Sequence, residues 1–382
     1  MEIEARARSP KSKVQCPETV DSPKDVLVLG AGPAGLALGY ELKQRGVSFL
    51  ILERGAAAGH SWQQMPTGLK LVSPWKANRL PGAPPGELSP NAEIGAAEYA
   101  LWLQSYARQH AFSIRAGQEV RSVTRAPDGL FHVQAGDREF TSRVLVNATG
   151  YFSNPFVPQI PGACDSAIAQ RHTADYKNPQ ALRALLGKVN PLVVIIGKRL
   201  SAGQTMLELI DAGFKVAISH RGKLQFGAGP LGWWFFFRIH PWLETLKLRL
   251  RGEAARAIQV RMPGGRTRRL INSGMVQCFP EIARFEKQTV VFTNGARLQP
   301  DAVLYATGFR PALEHLATLS LELDQAGRPQ LNDLGSVSTE GLFFLGLDQA
   351  RNFQSRFIRG IRQDALRLAE RLEQRLAVER GL

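Results

Sequence analysis

Cysteine is scarce in this chain of 382 residues: Cys16, Cys164 and Cys278 lie far apart. Their spacing excludes a disulfide scaffold, a CxxC redox pair and a local zinc knuckle, and fits a reduced, cytoplasmic setting. No apolar run approaches the roughly 18 residues that a membrane-spanning helix needs. Residues 1–23 lack the apolar centre of a secretory signal and read as a disordered arm. Glu2 and Glu4 do not suit an import peptide. Long basic blocks are missing too, although 48 Lys and Arg against 33 Asp and Glu leave a charge of +15. No basic stretch is interleaved with aromatics as a nucleic-acid footprint requires, so no nucleic-acid partner is expected. The excess charge reads as solvated helix faces and sites for phosphorylated ligands. At 44% hydrophobic and 21% charged residues the chain is globular. Its length gives a prior of two to three domains.

What is abundant is glycine in patterned places. The apolar run Val26–Leu29 meets Gly30-Ala31-Gly32-Pro33-Ala34-Gly35 and then an apolar-periodic stretch to Leu42, which is strand, turn and helix. In such a turn the first glycine permits the bend, the second lets a pyrophosphate approach the backbone, and the third lets helix and strand pack closely. The helix N-terminus then holds phosphates through its amides and dipole. A second strand ends in Glu53, 18 residues past Gly35, where a carboxylate accepts hydrogen bonds from ribose hydroxyls. A helix is expected from about Ile94 to His110, with Tyr99, Trp102, Leu103 and Tyr106 on one face. Strands are expected over about Ser113–Val146, with a hairpin at Pro127–Gly129.

The unit recurs. Strand Leu192–Ile196 enters Gly197-Lys198-Arg199-Leu200-Ser201-Ala202-Gly203 and a helix to Ala212, about 167 residues after the first turn. The first and third small positions are kept, while Arg199 stands where the middle glycine would be. It obstructs backbone approach but offers a guanidinium to phosphates. The next strand ends in Ser219-His220-Arg221, and a basic residue there suits a 2′-phosphate. Each unit is followed by an Ala-Thr-Gly, at Ala148-Thr149-Gly150 and Ala306-Thr307-Gly308. This is imperfect duplication of a nucleotide-binding unit.

The order of parts resembles the flavin-dependent (class B) monooxygenase family, in its flavin-containing and indole-pyruvate branches, over residues from about 24 to 375. The resemblance is carried by the first turn with Glu53 and Arg54, by Gly59-His60-Ser61-Trp62 in place of GGxW, and by both Ala-Thr-Gly sites. It continues through the crossover ending in Ile160-Pro161-Gly162, through His172 and Tyr176 of an H-x-x-x-(W/Y) linker, and through the closing Gly341–Asp348. It implies an α/β fold with two Rossmann-like dinucleotide-binding domains. The FAD domain is discontinuous, 24–160 and 300–382, and the NADP domain, 161–299, is inserted with an aromatic and basic insertion at 231–265. It implies FAD and NADPH as cofactors and O2 as co-substrate, with one oxygen atom transferred through a peroxyflavin. The implied cofactor contacts are Gly30, Gly32, Pro33, Ala34 and Gly35 of the first turn with Glu53 and Arg54, the segment His60, Ser61 and Trp62, the first Ala148-Thr149-Gly150, the linker residues His172 and Tyr176, Gly197, Arg199, Ser201 and Gly203 of the second turn with Arg221 at the next strand end, Thr307 and Gly308, and Asp348. No catalytic side chain or metal is assigned. The LxLxSP region, Leu69–Pro74, holds no asparagine near the flavin; Asn78 comes later.

Leu231–Leu250 concentrates aromatics, Trp233, Trp234 and Phe236 among them, with Arg238, His240 and Lys247. It reads as a buried insertion, as an entrance for a bulky apolar or aromatic substrate, or, less favoured, as a patch on an anionic membrane. Arg261, Arg266, Arg268 and Arg269 around residues 263–265 read as a solvated loop. Gln354, Ser355 and Gly360 fall where the family places a flavin-contacting loop. The leading expectation is therefore a monooxygenase for a small amine, sulfide or keto acid. The alternatives are a flavoprotein oxidase, dehydrogenase or internal redox enzyme with a degenerate nicotinamide site, motivated by Arg199, and a flavin redox sensor at a membrane surface. No oligomeric state is readable.

Overall fold

A computed structural model describes residues 23–84, 88–227, 239 and 261–381. The readings placed on Trp233, Trp234, Phe236 and the terminal arm lie outside these residues.

Two sheets with parallel central strands carry the chain, and each is built around one glycine-turn unit. In the first, strand Lys24–Leu29 lies between Phe49–Leu52 and Arg138–Asn147, parallel to both. Ile114–Arg115 extends the sheet on one side and Leu342–Phe344 on the other. Val26, Leu27, Val28 and Leu29 are all buried, the continuous apolar pattern of a strand covered on both faces. The hairpin Val120–Arg125 with Phe131–Ala135 forms as expected and pairs onto Arg138–Asn147.

The second sheet runs Gln277–Phe279, Lys215–Ser219, Leu192–Ile196, Ala302–Tyr305, Ala169–His172, all parallel. The order matches the first sheet: the strand leading into the turn sits between the next strand of its unit and the strand leading into Ala-Thr-Gly. Only the outermost strand differs, last in sequence in one sheet and first in the other. Because Ala302–Tyr305 pairs between Leu192–Ile196 and Ala169–His172, the expected return to the first domain at residue 300 comes too early. A three-stranded antiparallel sheet, Ile282–Glu286, Thr289–Phe292 and Arg297–Leu298, flanks the second sheet.

Three helices frame the first sheet. Pro33–Gln44 starts on a proline, whose fixed φ suits a first turn. Ala96–Gln109 buries Tyr99, Leu103 and Tyr106, as the periodicity predicts. Its rings form a ladder, with Trp102 stacked on Tyr99 at 5.7 Å and on Tyr106 at 5.3 Å. Ile358–Glu379 buries Ile361, Ala365, Leu368, Leu372 and Leu376, a stripe of helical period packed against helix Pro33–Gln44. The arginine-rich segment expected as a loop is instead helix Arg266–Asn272, with Thr267 buried and Arg266 paired to Asp211 of helix Leu200–Asp211. No described helix is long and apolar enough to cross a membrane.

Candidate active site

The first turn is shaped by contacts a side chain could not share. Gly30 has φ +103°, and a Cβ there would lie 2.8 Å from the Ala148 carbonyl oxygen. A Cβ on Gly35 would lie 2.0 Å from the Gly30 oxygen. Gly32 differs: its Cβ would meet no protein atom within 4 Å. Open space at the second glycine, just before the helix N-terminus, is where a pyrophosphate fits.

Glu53 is buried, with Oε2 accepting from Ala31 N–H at 2.8 Å and Oε1 from Gly55 N–H at 2.9 Å. The carboxylate is thus locked beside the turn and keeps lone pairs for a ribose. Gly30, Gly32, Glu53, Arg54, Ser61 and Thr149 share a cleft of ≈ 480 Å³ with His315. Behind the cleft, Asn147 Oδ1 accepts from Thr149 Oγ1 at 3.0 Å. An adenine nucleotide matches this donor set. His60 stands aside from both cavities, its ring covering Gly55, where a Cβ would come within 2.2 Å of it.

A larger cavity of ≈ 1080 Å³ lies between the two glycine-turn units. The first unit contributes Trp62, Tyr151, Asp348 and Arg356; the second contributes Gly197, Lys198, Arg199, Ser201 and Arg221; Thr307 and Gly308 close it. Arg356 lines the cavity from the short helix Phe353–Arg356. Its guanidinium donates to the Tyr151 hydroxyl at 2.9 Å and to Asp348 Oδ2 at 3.2 Å. Burial alone would lower its pKa, but Tyr151 and Asp348 beside it turn the shift upward. Asp348 Oδ1 is buried and unpartnered, aimed at nothing within the protein. A polar ligand atom is what such a group requires.

Gly197 repeats the logic of Gly30: φ is +157°, and a Cβ would lie 2.6 Å from the Ala306 oxygen. Arg199 caps helix Leu200–Asp211 and faces the cavity. Burial and then the charge of Arg356 lower its pKa, while Asp348 opposes the change. Gly203 turns away from the cavity, packed where a Cβ would come within 2.5 Å of Pro263. Lys198 Nζ donates to the Arg221 carbonyl at 2.7 Å, so two cations meet at the strand end. This basic rim, with an open helix N-terminus, fits a phosphorylated nucleotide.

His172 and Tyr176, expected among the cofactor contacts, line neither cavity. His172 accepts from Ala174 N–H through Nδ1 at 3.0 Å and meets the cavity-lining Phe309 edge-on at 4.9 Å. Burial lowers its pKa against the pull of Gly308 and Asp175. Tyr176 is buried in the second core, and burial followed by the charge of Glu208 pushes its phenol far up. Next to it Lys177 ties the units together: Nζ donates to Gln64 O at 2.8 Å, and its carbonyl accepts from Thr67 N–H at 2.9 Å.

Asn78 does reach the large cavity, from helix Trp75–Asn78, although its sequence position lies beyond the LxLxSP region. It is buried, and Nδ2 already donates to Ser73 O at 2.7 Å, while Oδ1 lies 2.6 Å from Ser73 Oγ. Gln354 and Ser355 are buried beneath the Asp348 loop, where Ser355 Oγ accepts from Arg351 and Asn352 N–H. Cys164 and Cys278 are both free thiols. Among the described residues no acidic, His or Cys group could hold a metal.

The sequence profile of the pyridine nucleotide-disulphide oxidoreductase family matches residues 27–346. The chain is 29% identical to a CzcO-like oxidoreductase of Geobacillus kaustophilus over 89% of this chain and 96% of that one. It is 27% identical to the rice (Oryza sativa subsp. japonica) indole-3-pyruvate monooxygenase YUCCA1, covering 74% and 76% of the two chains. A solved flavin-containing monooxygenase from Stenotrophomonas maltophilia superposes with a TM-score of 0.78 at 25% identity, covering 92% of this chain and 99% of that one. Two glycine-turn domains, a cleft lined by the first turn and Glu53, and these similarities agree: the chain belongs to the pyridine nucleotide-disulphide oxidoreductase family, as an FAD-dependent oxidoreductase with the fold of the flavin monooxygenases.

Proposed function

We propose that the protein is an NADPH-using monooxygenase that transfers one oxygen atom from O2 to a small organic substrate of apolar or aromatic character. The observation that carries this reading is the shared cavity. Asp348 and Arg356 from one unit face the same space as Gly197, Arg199 and Arg221 from the other. FAD, when bound, supplies hydride acceptance and oxygen activation; the chain supplies binding, orientation and a dry pocket.

Those tasks divide among named residues. The Gly30–Gly35 turn, Glu53 and Thr149 would hold the adenine-nucleotide end of FAD in the smaller cleft. Asp348, fixed by Arg356, lines the larger cavity, and its buried Oδ1 has no partner within the protein. Arg199, Lys198 and Arg221 would meet the phosphates of the nicotinamide nucleotide. Trp62, Phe152 and Phe309 give the cavity apolar walls that exclude water and accept an apolar substrate. His172 acts through Phe309, which it holds edge-on.

The test is anaerobic stopped-flow mixing of the yellow protein with NADPH, followed by 18O2 and candidate amines, sulfides and keto acids. Loss of the flavin absorbance on mixing, then one 18O atom in product, is expected. Bleaching by an organic substrate but not by NADPH would overturn the reading in favour of an oxidase or dehydrogenase.

A further inference from the structure

We infer that Glu281 sets how strongly this chain prefers a 2′-phosphorylated nicotinamide nucleotide over an unphosphorylated one. The inference rests on the nicotinamide-nucleotide reading above and adds a residue on a different strand end from Arg221.

Strands Lys215–Ser219 and Gln277–Phe279 are parallel neighbours with Ser219 opposite Phe279. Their ends leave the sheet tied together. His220 N–H donates to Phe279 O at 3.0 Å, and Ser219 Oγ to Pro280 O at 2.8 Å. One residue on, the Glu281 carbonyl accepts from Thr293 N–H at 2.9 Å. Glu281 is thereby fixed beside Arg221, and its Oε1 pairs with the Arg221 Nε. Both residues line the large cavity, together with Lys198 and His220.

A carboxylate therefore already occupies part of the guanidinium that a 2′-phosphate would use. An incoming phosphate dianion has to share Arg221 with a fixed negative charge, and like charges a few ångströms apart repel. A ribose bearing only hydroxyls meets the opposite situation, because a carboxylate accepts hydrogen bonds from it. Glu281 thus weakens the phosphorylated nucleotide and favours the unphosphorylated one, narrowing a preference that Arg221 and Lys198 alone would make wide. The Arg221 and Glu281 side chains are 78% and 45% exposed, so water and salt keep the effect moderate.

The experiment uses the FAD-loaded protein and two fragments, adenosine 2′,5′-bisphosphate and 5′-AMP, titrated by calorimetry at low and high salt. In Glu281→Gln, which keeps an acceptor for Arg221 but removes the charge, the bisphosphate should bind about tenfold tighter, roughly 1.4 kcal/mol. The 5′-AMP affinity should stay within about twofold, and the gain should shrink at high salt. Glu281→Gln combined with Arg221→Ala should lose the gain. The ratio of NADPH to NADH bleaching rates should move in the same direction. An unchanged bisphosphate-to-AMP ratio, or an equal gain for both fragments, overturns the inference while leaving the monooxygenase reading intact. If NADPH and NADH both fail to bleach the parent protein and neither fragment binds it, the inference and the reading fall together.

Discussion

The two glycine turns meet the same steric demand at their first position and different ones afterwards. Gly30 and Gly197 both abut the alanine carbonyl of their own Ala-Thr-Gly, at 2.8 and 2.6 Å for an added Cβ. The contact recurs because the strand leading into each Ala-Thr-Gly lies next to the strand that enters its turn. At the third position the turns part. Gly35 sits on the Gly30 oxygen, whereas the second turn carries Ala202, fully buried, in that place. At the middle position Gly32 leaves open space and Arg199 fills it. The first turn is thus built for backbone contact with a tightly held nucleotide. The second places a guanidinium at the helix start where the first leaves the backbone open.

The largest effect that could break this contrast is at Gly35. Gly35→Ala places a methyl 2.0 Å from a backbone oxygen, and no rotamer relieves it. Overpacking of a rigid site costs about 1–3 kcal/mol or more, so soluble yellow protein should be largely lost. Gly32→Ala should fold with an unchanged melting temperature after removal of flavin, yet retain FAD poorly in an absorbance titration. If both variants lose only flavin, the third glycine is not a packing device here.

Gly203→Ala should cost less than Gly35→Ala. Its methyl would meet Pro263 Cδ at 2.5 Å and Met262 Cγ at 2.7 Å, and side-chain atoms can give way. A loss of about 1–2 kcal/mol by urea denaturation is expected, with the FAD content unchanged. Equal loss at both positions would mean that the Pro263 and Met262 side chains are as unyielding as the backbone oxygen at Gly35.

Arg199→Gly restores the absent glycine and tests what the charge does. A charge-assisted hydrogen bond contributes about 1.5–3 kcal/mol, so NADP⁺ affinity should fall by roughly tenfold or more. FAD content should not change. Tighter NADP⁺ binding in Arg199→Gly would show that the side chain obstructs the nucleotide.

Local patterns made the turns legible, because a glycine spacing between a strand and a helix encodes its own geometry. Glu53 was legible for the same reason, as the end of the next strand. The extent of helix Ala96–Gln109 followed from apolar periodicity to within a few residues. What escaped were groups brought in from a distance. Arg356 meets Tyr151 across 205 residues, and Arg221 meets Glu281 across 60. The membership of Ala302–Tyr305 in the second sheet also escaped, since parallel partners are chosen by long-range pairing. Asn78 was passed over because its place in the cavity depends on a short helix within a Gly- and Pro-rich loop.

The smallest expected effect is a dependence on pH that sets one cleft against the other. His315 lines the first cleft, with Nε2 3.3 Å from Asn147 Oδ1, and His172 stands behind the second. Burial lowers the pKa of both, opposed by Glu314 at His315 and by Gly308 and Asp175 at His172. Between the lowered folded value and the ordinary 6.5, the unfolded chain binds more protons than the folded one. Stability contributed by neutral histidine is therefore present above about pH 6.5 and is lost as pH falls through that window. Glu208 and Asp364, whose pKa values burial raises, act in the opposite sense above the ordinary carboxylate range. His315→Gln should accordingly flatten the fall of the melting temperature between pH 7 and 5 by about 1–2 °C. His172→Gln should flatten it similarly, with the added signature of slower bleaching by NADPH, because Phe309 loses its edge-on support. A slope unchanged in both variants would mean that neither ring stays neutral on account of its burial.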